Sequence, residues 1–554
     1  MMKRFRSSIK KASVLLAAGA MVITGFVAMG AGTSGAAGNG VLTLGWGDYG
    51  NAFTNNFNPY SATSATLGEG AIYEPLWFFD PADGSQTHPW LATSYAWSKS
   101  GKTLTFQTRK NVKWSDGKPF TSADVAFTFN LLKKDPSINK YALPISSATV
   151  KGANTVVLNF KTQAYTDLSY IAGDIYILPQ HIWSKVKNPA TYVASYPVGT
   201  GAYTVSSVTA AAITLTANKH YYVAGLPKIP KVEALFYNGN TPLQAAIESG
   251  VIDWGGSFIS NINTAYLALN KNYHNENLPA AMANIIPNIK SGPMSDLAVR
   301  QAFTDAIDRN TLDQDVYDGQ LPMVSSTGLV TPLFKSVLSS AYNPATPAAS
   351  VPNITAAKAA LTADGYAMGS NGFFSKGGAE LTVTVTVPDG WTDYQQILQL
   401  MTTEEAAVGI NLQVSNPAQA TALADLASGN FQAQIMYYGF TTSPWVYLNQ
   451  MVGPVASSVG NQGGFSNPTV NADLAAIAKM PNEDSPAAVK DFYAIEKIVS
   501  SQVARIPLFV QQGDAEFNGN VVKNFPTPQN PYGESAAGIY PSAGWVMSRI
   551  ELVK

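Results

Sequence analysis

An α/β fold divided among more than one body is what this sequence predicts, on three observations. Strands and helices alternate as βαβαβ between Leu381 and Tyr438. A capped amphipathic helix stands between two strongly β-prone runs in the first third of the chain. And 554 residues exceed what a single hydrophobic core holds, so two or three domains are expected.

The capped helix is the clearest local signal. Ser115-Asp116-Gly117 followed by Pro119 forces a turn or extended chain. Thr121 then serves as N-cap with Asp124 three residues on, a capping-box spacing that puts a carboxylate at the positive end of the helix dipole. Ala123, Phe127 and Leu131 fall at i, i+4 and i+8 and predict the apolar stripe. Thr103–Thr108 and Thr155–Phe160 read as the flanking strands. Ala96-Trp-Ser-Lys-Ser-Gly-Lys-Thr103 nearly spells a phosphate-binding loop. It has Ala96 where glycine is required and a strand where a helix must follow, so a hairpin turn is the expectation.

In the βαβαβ stretch, Leu381–Val387 is a strand and Asp393–Gly409 a helix with Ile397, Leu400, Met401 and Val408 inward. Ile410–Val414 is the second strand, Ala418–Ser428 a helix stopped by Gly429, and Ala433–Tyr438 the third strand. A mostly parallel sheet follows, and ligands bind such sheets beyond the carboxyl ends of the strands. That singles out two loops, Pro388–Trp391 and Gly439–Trp445. Elsewhere Val41–Trp46, Tyr203–Val205, Ala212–Thr216 and Ile506–Val510 read as strands. Pro242–Gly250, Asn471–Lys479 and Ala487–Gln502 read as helices. Val299–Arg309 reads as one helix, with Arg300, Asp308 and Arg309 in surface pairs.

Composition excludes several classes of function. Hydrophobic content is 46% and net charge is −1, with no Lys/Arg-rich face for nucleic acid. The absence of cysteine removes disulfides, thiolate catalysis and Cys-ligated zinc. His88, His181, His220 and His274 lack metal-ligand spacing, and no nucleophile elbow or H-E-x-x-H occurs, so neither an enzyme nor a cofactor is expected. The pair Glu404-Glu405 lies mid-helix and is expected to be solvated. Only 13% of residues are charged, which fits an exported protein of an acidic medium where carboxylates titrate. Lys3, Arg4, Arg6, Lys10 and Lys11, the apolar run Ala12–Met29 and Gly35-Ala36-Ala37 read as a signal peptide over residues 1–38. Retention of that segment as a membrane anchor is the alternative, and no lipobox cysteine follows it.

The run Asn111–Leu132, containing Trp-Ser-Asp-Gly-Lys-Pro-Phe-Thr121, resembles a signature of the periplasmic oligopeptide, dipeptide and nickel class of solute-binding proteins, extracellular solute-binding protein family 5. Gly199-Thr-Gly-Ala-Tyr203 and Val299–Arg309 resemble two more of its motifs, in the family's order. The resemblance implies a periplasmic-binding-protein type II-like fold, with two hinged lobes and an extra domain. It divides the chain into a first lobe in three parts (41–72, 199–285, 507–554), an extra α+β domain (73–198) and a third lobe (286–506). It also implies an unreacted peptide or small-molecule ligand, permease transmembrane subunits of an ABC importer as partners, a monomeric state and a place outside the cytoplasmic membrane.

Aromatic residues at strand ends and loops are the candidate ligand walls: Trp46, Tyr49 and Trp254 on the first lobe, Trp391, Tyr438, Phe440 and Trp445 on the third. One departure bears on the ligand. Oligopeptide binders carry an aspartate in the loop after the Ala433–Tyr438 strand, where it pairs with the peptide's amino group, and here Gly439–Pro444 has none. A free N-terminus would then need Asp389 or Asp393, and an uncharged oligosaccharide gains as the alternative. A secreted hydrolase is the alternative of another class.

Overall fold

The computed structural model describes residues 40–47, 53–83, 86–342, 351–439, 441–454 and 460–553; the signal-peptide expectation lies outside them. No helix among the described residues is long and apolar enough to cross a membrane.

Three sheets, each with its own core, organise the chain. In lobe I, Val41–Gly47 pairs parallel with Lys231–Tyr237, which continues antiparallel through Ala212–Ala217 to Tyr203–Val208. The extra domain is an antiparallel sheet in the order Ala92–Trp97, Thr103–Thr108, Thr155–Phe160, Ile145–Gly152. The near-miss phosphate loop is the turn of its first hairpin. Lobe III orders its sheet Asn411–Ser415, Thr382–Thr386, Ala433–Gly439, Leu278–Pro287, Ile506–Gly513.

The capping box forms as predicted: Ala123 N donates to Thr121 Oγ1 at 3.2 Å and Thr121 N to Asp124 Oδ2 at 2.9 Å, opening the helix Ser122–Lys134. Its main buried face differs from the predicted stripe. Val125, Phe129 and Leu132 enter the extra domain's core, while Phe127 and Leu131 are half-buried against the core of lobe I. The helix is therefore a shared wall between two bodies, which a single-stripe reading cannot express. Gly199 and Gly201 fix the same junction. A Cβ on Gly199 would stand 1.9 Å from the Ile72 carbonyl oxygen, so the two backbones meet only where a side chain is missing.

The βαβαβ unit is present, with Thr382–Thr386 parallel to both neighbours, and Gly409 and Gly429 closing the two helices in the left-handed conformation. The sheet is mixed rather than mostly parallel, because Leu278–Pro287 and Ile506–Gly513 add two antiparallel strands at one edge. Beyond lobe III both strands continue into the lobe I pair Tyr273–Asn275 and Glu516–Asn518. Two short interruptions, Glu276–Asn277 and Asp514–Ala515, separate the two segments of this ribbon, and one backbone bond, Glu276 N to Ala515 O at 3.0 Å, ties the interruptions together. This is hinge geometry: a few element-terminal residues able to absorb a change of backbone angle.

Three further expectations are corrected. The helix expected at Val299–Arg309 is two, Leu297–Ala306 and Arg309–Tyr317, because Asp308 caps the second by accepting from Thr311 N. Arg300 is not in a surface pair; it is buried, and its guanidinium donates to the carbonyls of Met294, Ser295, Gln502 and Val503. Glu405 is not solvated but 0% exposed, with neither carboxyl oxygen hydrogen-bonded.

Glu405 belongs to a wider pattern. The ion pairs among the described residues, Lys118–Asp116, His181–Asp116, Lys376–Asp296, Lys376–Asp364 and Lys523–Glu551, all lie at the surface or half-exposed. Buried acids are held instead by neutral donors or by none. Burial pushes Glu74, Glu483, Glu496 and Asp514 up to about 7, and Glu534 up to about 8. A carboxyl whose folded pKa exceeds its unfolded value binds its proton more tightly in the folded chain, so stability is lost as pH rises from about 4.5 through about 7. We expect the urea midpoint to be higher at pH 4.5 than at pH 7.5; a midpoint that rises toward neutrality would contradict this. Thr121→Ala should lower stability by about 1 kcal/mol through loss of the cap, read as a lower midpoint at unchanged slope.

Candidate functional site

The cleft between the lobes is built on the carboxyl end of strand Ala433–Gly439 and has two neighbouring parts. In the first, Tyr437 is 41% exposed and its ring stacks on Trp391 at 5.6 Å between centroids with 23° between planes. Trp391 in turn meets Tyr394 edge-on at 5.7 Å. Asp393 stands beside these rings and accepts from Tyr317 Oη at 2.8 Å, while Tyr394 Oη donates to Gln511 Oε1 at 2.8 Å. Burial raises Asp393, and it raises Asp514 with the Asp393 charge adding to the effect. Lobe I reaches this corner through its helix Asn240–Glu248, whose Asn240 Nδ2 donates to Thr392 Oγ1 at 3.1 Å. The Pro388–Trp391 loop predicted from strand order therefore lies where the two lobes meet.

The second part is a cavity of about 420 Å³ with walls from both sides. Gly439, Thr441, Asn449 and Gln450 line it from lobe III; Glu69, Lys140, Tyr141, Tyr170 and Asp174 line the opposite wall. Tyr141 and Tyr170 stack at 4.0 Å and 17°. Gln450 Nε2 donates to Tyr170 Oη at 2.8 Å, a bond that spans the gap between lobe III and the extra domain. Tyr170 opens the wide turn Tyr170–Asp174, whose π-type winding occurs often at functional sites. Burial raises both Glu69 and Asp174, opposed in each case by the Lys140 ammonium; Tyr176 Oη also donates to Glu69 Oε2 at 3.0 Å.

This set of groups is furnished for binding. It offers aromatic faces, amide and hydroxyl donors, two carboxyls and one ammonium, with no nucleophile–base pair among these residues. Rings of this kind can cover apolar or sugar faces, and polar groups of this kind can fix orientation.

The candidates named from sequence fall in different places. Trp391 is at the cleft. Tyr438, next to Tyr437, points to the other side of its strand, under the Arg505 guanidinium at 5.1 Å, with its hydroxyl toward Gln462. Trp254 is 0% exposed inside lobe I, its indole donating to Ser535 O at 2.8 Å and packed edge-on against Phe525. Trp445 is tied into lobe III through Nε1 to Leu474 O at 2.8 Å. Tyr49 and Phe440 lie outside the described residues, as does the side chain of Trp46. Tyr437, the neighbour of Tyr438, is a cleft residue that the sequence reading does not name. Tyr141, Tyr170, Glu69 and Asp174 come from turns with no periodic signal.

The profile of the family described as bacterial extracellular solute-binding proteins, family 5 Middle, matches residues 86–458. A putative ABC transporter peptide-binding protein of Brucella abortus (strain 2308) is 28% identical over 278 residues, 48% of this chain and 51% of that protein, so the chain spans about half the length of such curated relatives. Two solved structures share the fold. The periplasmic oligopeptide-binding protein of Thermotoga maritima with mannohexaose bound has a TM-score of 0.83 at 23% identity, over 93% of this chain and 99% of that one. The oligopeptide-binding protein AppA of Bacillus subtilis, in complex with a nonapeptide, has a TM-score of 0.77 at 19% identity, again over 93% and 99%. With a sheet-and-hinge architecture of this kind and a profile match across more than half its length, the chain belongs to the bacterial extracellular solute-binding proteins of family 5.

Proposed function

We propose that this protein is the extracytoplasmic capture subunit of an ABC importer, which closes its lobes over an oligopeptide and presents it to permease transmembrane subunits. The observation that carries the reading is the cavity walled by lobe III on one side and by Glu69 and the extra domain on the other, crossed by the Gln450–Tyr170 bond. Closure on a ligand requires that both walls contribute affinity, and both are furnished to do so. Glu69 and Asp174 supply the acid missing from the Gly439–Pro444 loop and face a peptide's ammonium, while Lys140 suits its carboxylate. Asp393, named from sequence as a substitute acid, is a second candidate at the adjoining corner. The alternative, an oligosaccharide, is favoured by the stacked pairs Trp391–Tyr437 and Tyr141–Tyr170 beside uncharged Thr441, Asn449 and Gln450.

A thermal-shift screen of di- to hexapeptides against manno-, cello- and xylo-oligosaccharides separates the two. A specific ligand at 100 times its Kd stabilises by about 2.7 kcal/mol. If the ligand is a peptide, Glu69→Gln combined with Asp174→Asn should weaken it at least about tenfold, since loss of a charge-assisted bond costs about 1.5–3 kcal/mol. An oligosaccharide should tolerate that change yet lose affinity with Tyr437→Ala. Ligand recovered unchanged after long incubation speaks for transport over hydrolysis, and product formation would overturn the proposal. Gln450→Ala removes the bond across the gap and should enlarge the radius of gyration of the ligand-free protein in X-ray scattering; an unchanged profile would show that this bond does not hold the lobes.

A further inference from the structure

The hairpin of Trp77–Asp80 and Gln86–Pro89 carries a group of side chains that the transport reading does not use. The strand alternates its faces: Phe79 lines the cleft cavity, while Phe78 and Asp80 point the other way, toward the lobe I helix Ser542–Met547. His88 is the cross-strand partner of Phe78, and its ring lies near-parallel beside the stacked Phe78–Trp545 pair, 6.1 Å from Phe78 and 5.8 Å from Trp545. One imidazole nitrogen of His88 and one carboxyl oxygen each of Asp80 and Asp83 lie within 4.8 Å of one another.

Two features separate this group from an ordinary surface cluster. Asp80 is 0% exposed; Oδ1 accepts from Ala82 N at 3.0 Å and Oδ2 has no partner. His88 Nε2 is likewise buried without a partner. A desolvated acceptor of this kind is costly unless a proton or a cation meets it. Glu534, also 0% exposed with Oε2 unpartnered, is near enough to feel the Asp80 charge and adds to the negative surroundings. The nearby cation, Arg549, is engaged elsewhere: its guanidinium lies over the Trp545 ring and donates to Trp545 O and Ser548 Oγ.

We propose that Asp80, Asp83 and His88 form a binding site for a divalent first-row transition-metal cation, separate from the ligand cleft and on the opposite face of the strand that carries Phe79. One imidazole with two carboxylates is a borderline donor set of the kind that holds Zn²⁺ or Mn²⁺, and it leaves room for water as a further ligand. Bonds of about 2 Å bring the ligands of a tetrahedral ion to about 3.3 Å apart, so the cluster contracts on binding and draws Asp83 toward Asp80 and His88. The ion acts as a clasp on the wall of the cleft and is not the transported cargo.

The test uses the full chain stripped with EDTA. Titration calorimetry with Zn²⁺ should give one ion per chain, and Co²⁺ should give visible absorption bands of a low-coordinate site. Asp83→Asn and His88→Gln should each weaken Zn²⁺ at least about tenfold, since even outer-shell partners of a metal contribute on that scale. His220→Gln should leave it unchanged, and near-UV circular dichroism checks that each variant is folded. Absence of one-to-one binding by Zn²⁺, Mn²⁺ and Co²⁺, or binding that survives both Asp83→Asn and His88→Gln, would overturn the proposal. Either result leaves the cleft reading to stand or fall on its own screen.

Discussion

Two antiparallel strands, Leu278–Pro287 and Ile506–Gly513, carry the chain out of lobe III, and their continuations pair again inside lobe I as Tyr273–Asn275 and Glu516–Asn518. A ribbon two strands wide resists shear through its hydrogen bonds and bends where those bonds are interrupted, which here is at Glu276–Asn277 and Asp514–Ala515. The rest of the functional architecture depends on that constraint. Lobes that turn about one narrow ribbon must meet face to face along its flank, and Asp514 of the ribbon lies beside Asp393 of the corner where Trp391 and Tyr437 stand. The ribbon and the corner of Trp391 and Tyr437 are thus neighbours in space.

Electrostatics add a second theme. Charged residues are few, the ion pairs among the described residues are superficial, and acids such as Glu405, Glu516 and Glu534 are wholly buried. Burial favours their neutral forms, which need fewer compensating partners than carboxylates do. Glu69 and Asp174 share that tendency in the cleft, so protonation there is linked to the charge a ligand meets. Acids held neutral by burial need no ion-pair partner. This gives physical content to the low charge density visible in the sequence.

The regular elements were legible in the sequence because their signals are local. The Thr121–Asp124 box, the stops at Gly409 and Gly429 and the alternation in Thr103–Thr108 each depend on a few adjacent residues, and each forms. Local signals mislead where a distant partner decides the outcome. Arg300 looks like a surface residue until the carbonyls of Gln502 and Val503 are brought to it from two hundred positions away. Trp254 reads as a strand-end ring but is enclosed by Phe525 and Ser535 from the C-terminal segment. The cleft was half legible. Strand order pointed to Pro388–Trp391, whereas Tyr141, Tyr170 and Asp174 sit on turns whose position only the assembled domains define. Histidine spacing likewise hid the Asp80–Asp83–His88 group, since a hairpin, not a helical period, brings those residues together.

The central claim is that two lobes turn about the ribbon to enclose a solute. The chain contains no cysteine, so spin labels can be placed at single introduced cysteines without background. Ser206→Cys on lobe I and Ser428→Cys on lobe III are both at exposed positions. Pulsed dipolar spectroscopy on that doubly labelled protein, with and without a saturating pool of tetra- to hexapeptides or the best ligand from the screen, measures the distance between lobes. The account predicts a broad distribution in the free protein that contracts to a shorter, narrower one on binding. The same narrow distribution in both states, with binding established independently, would contradict it.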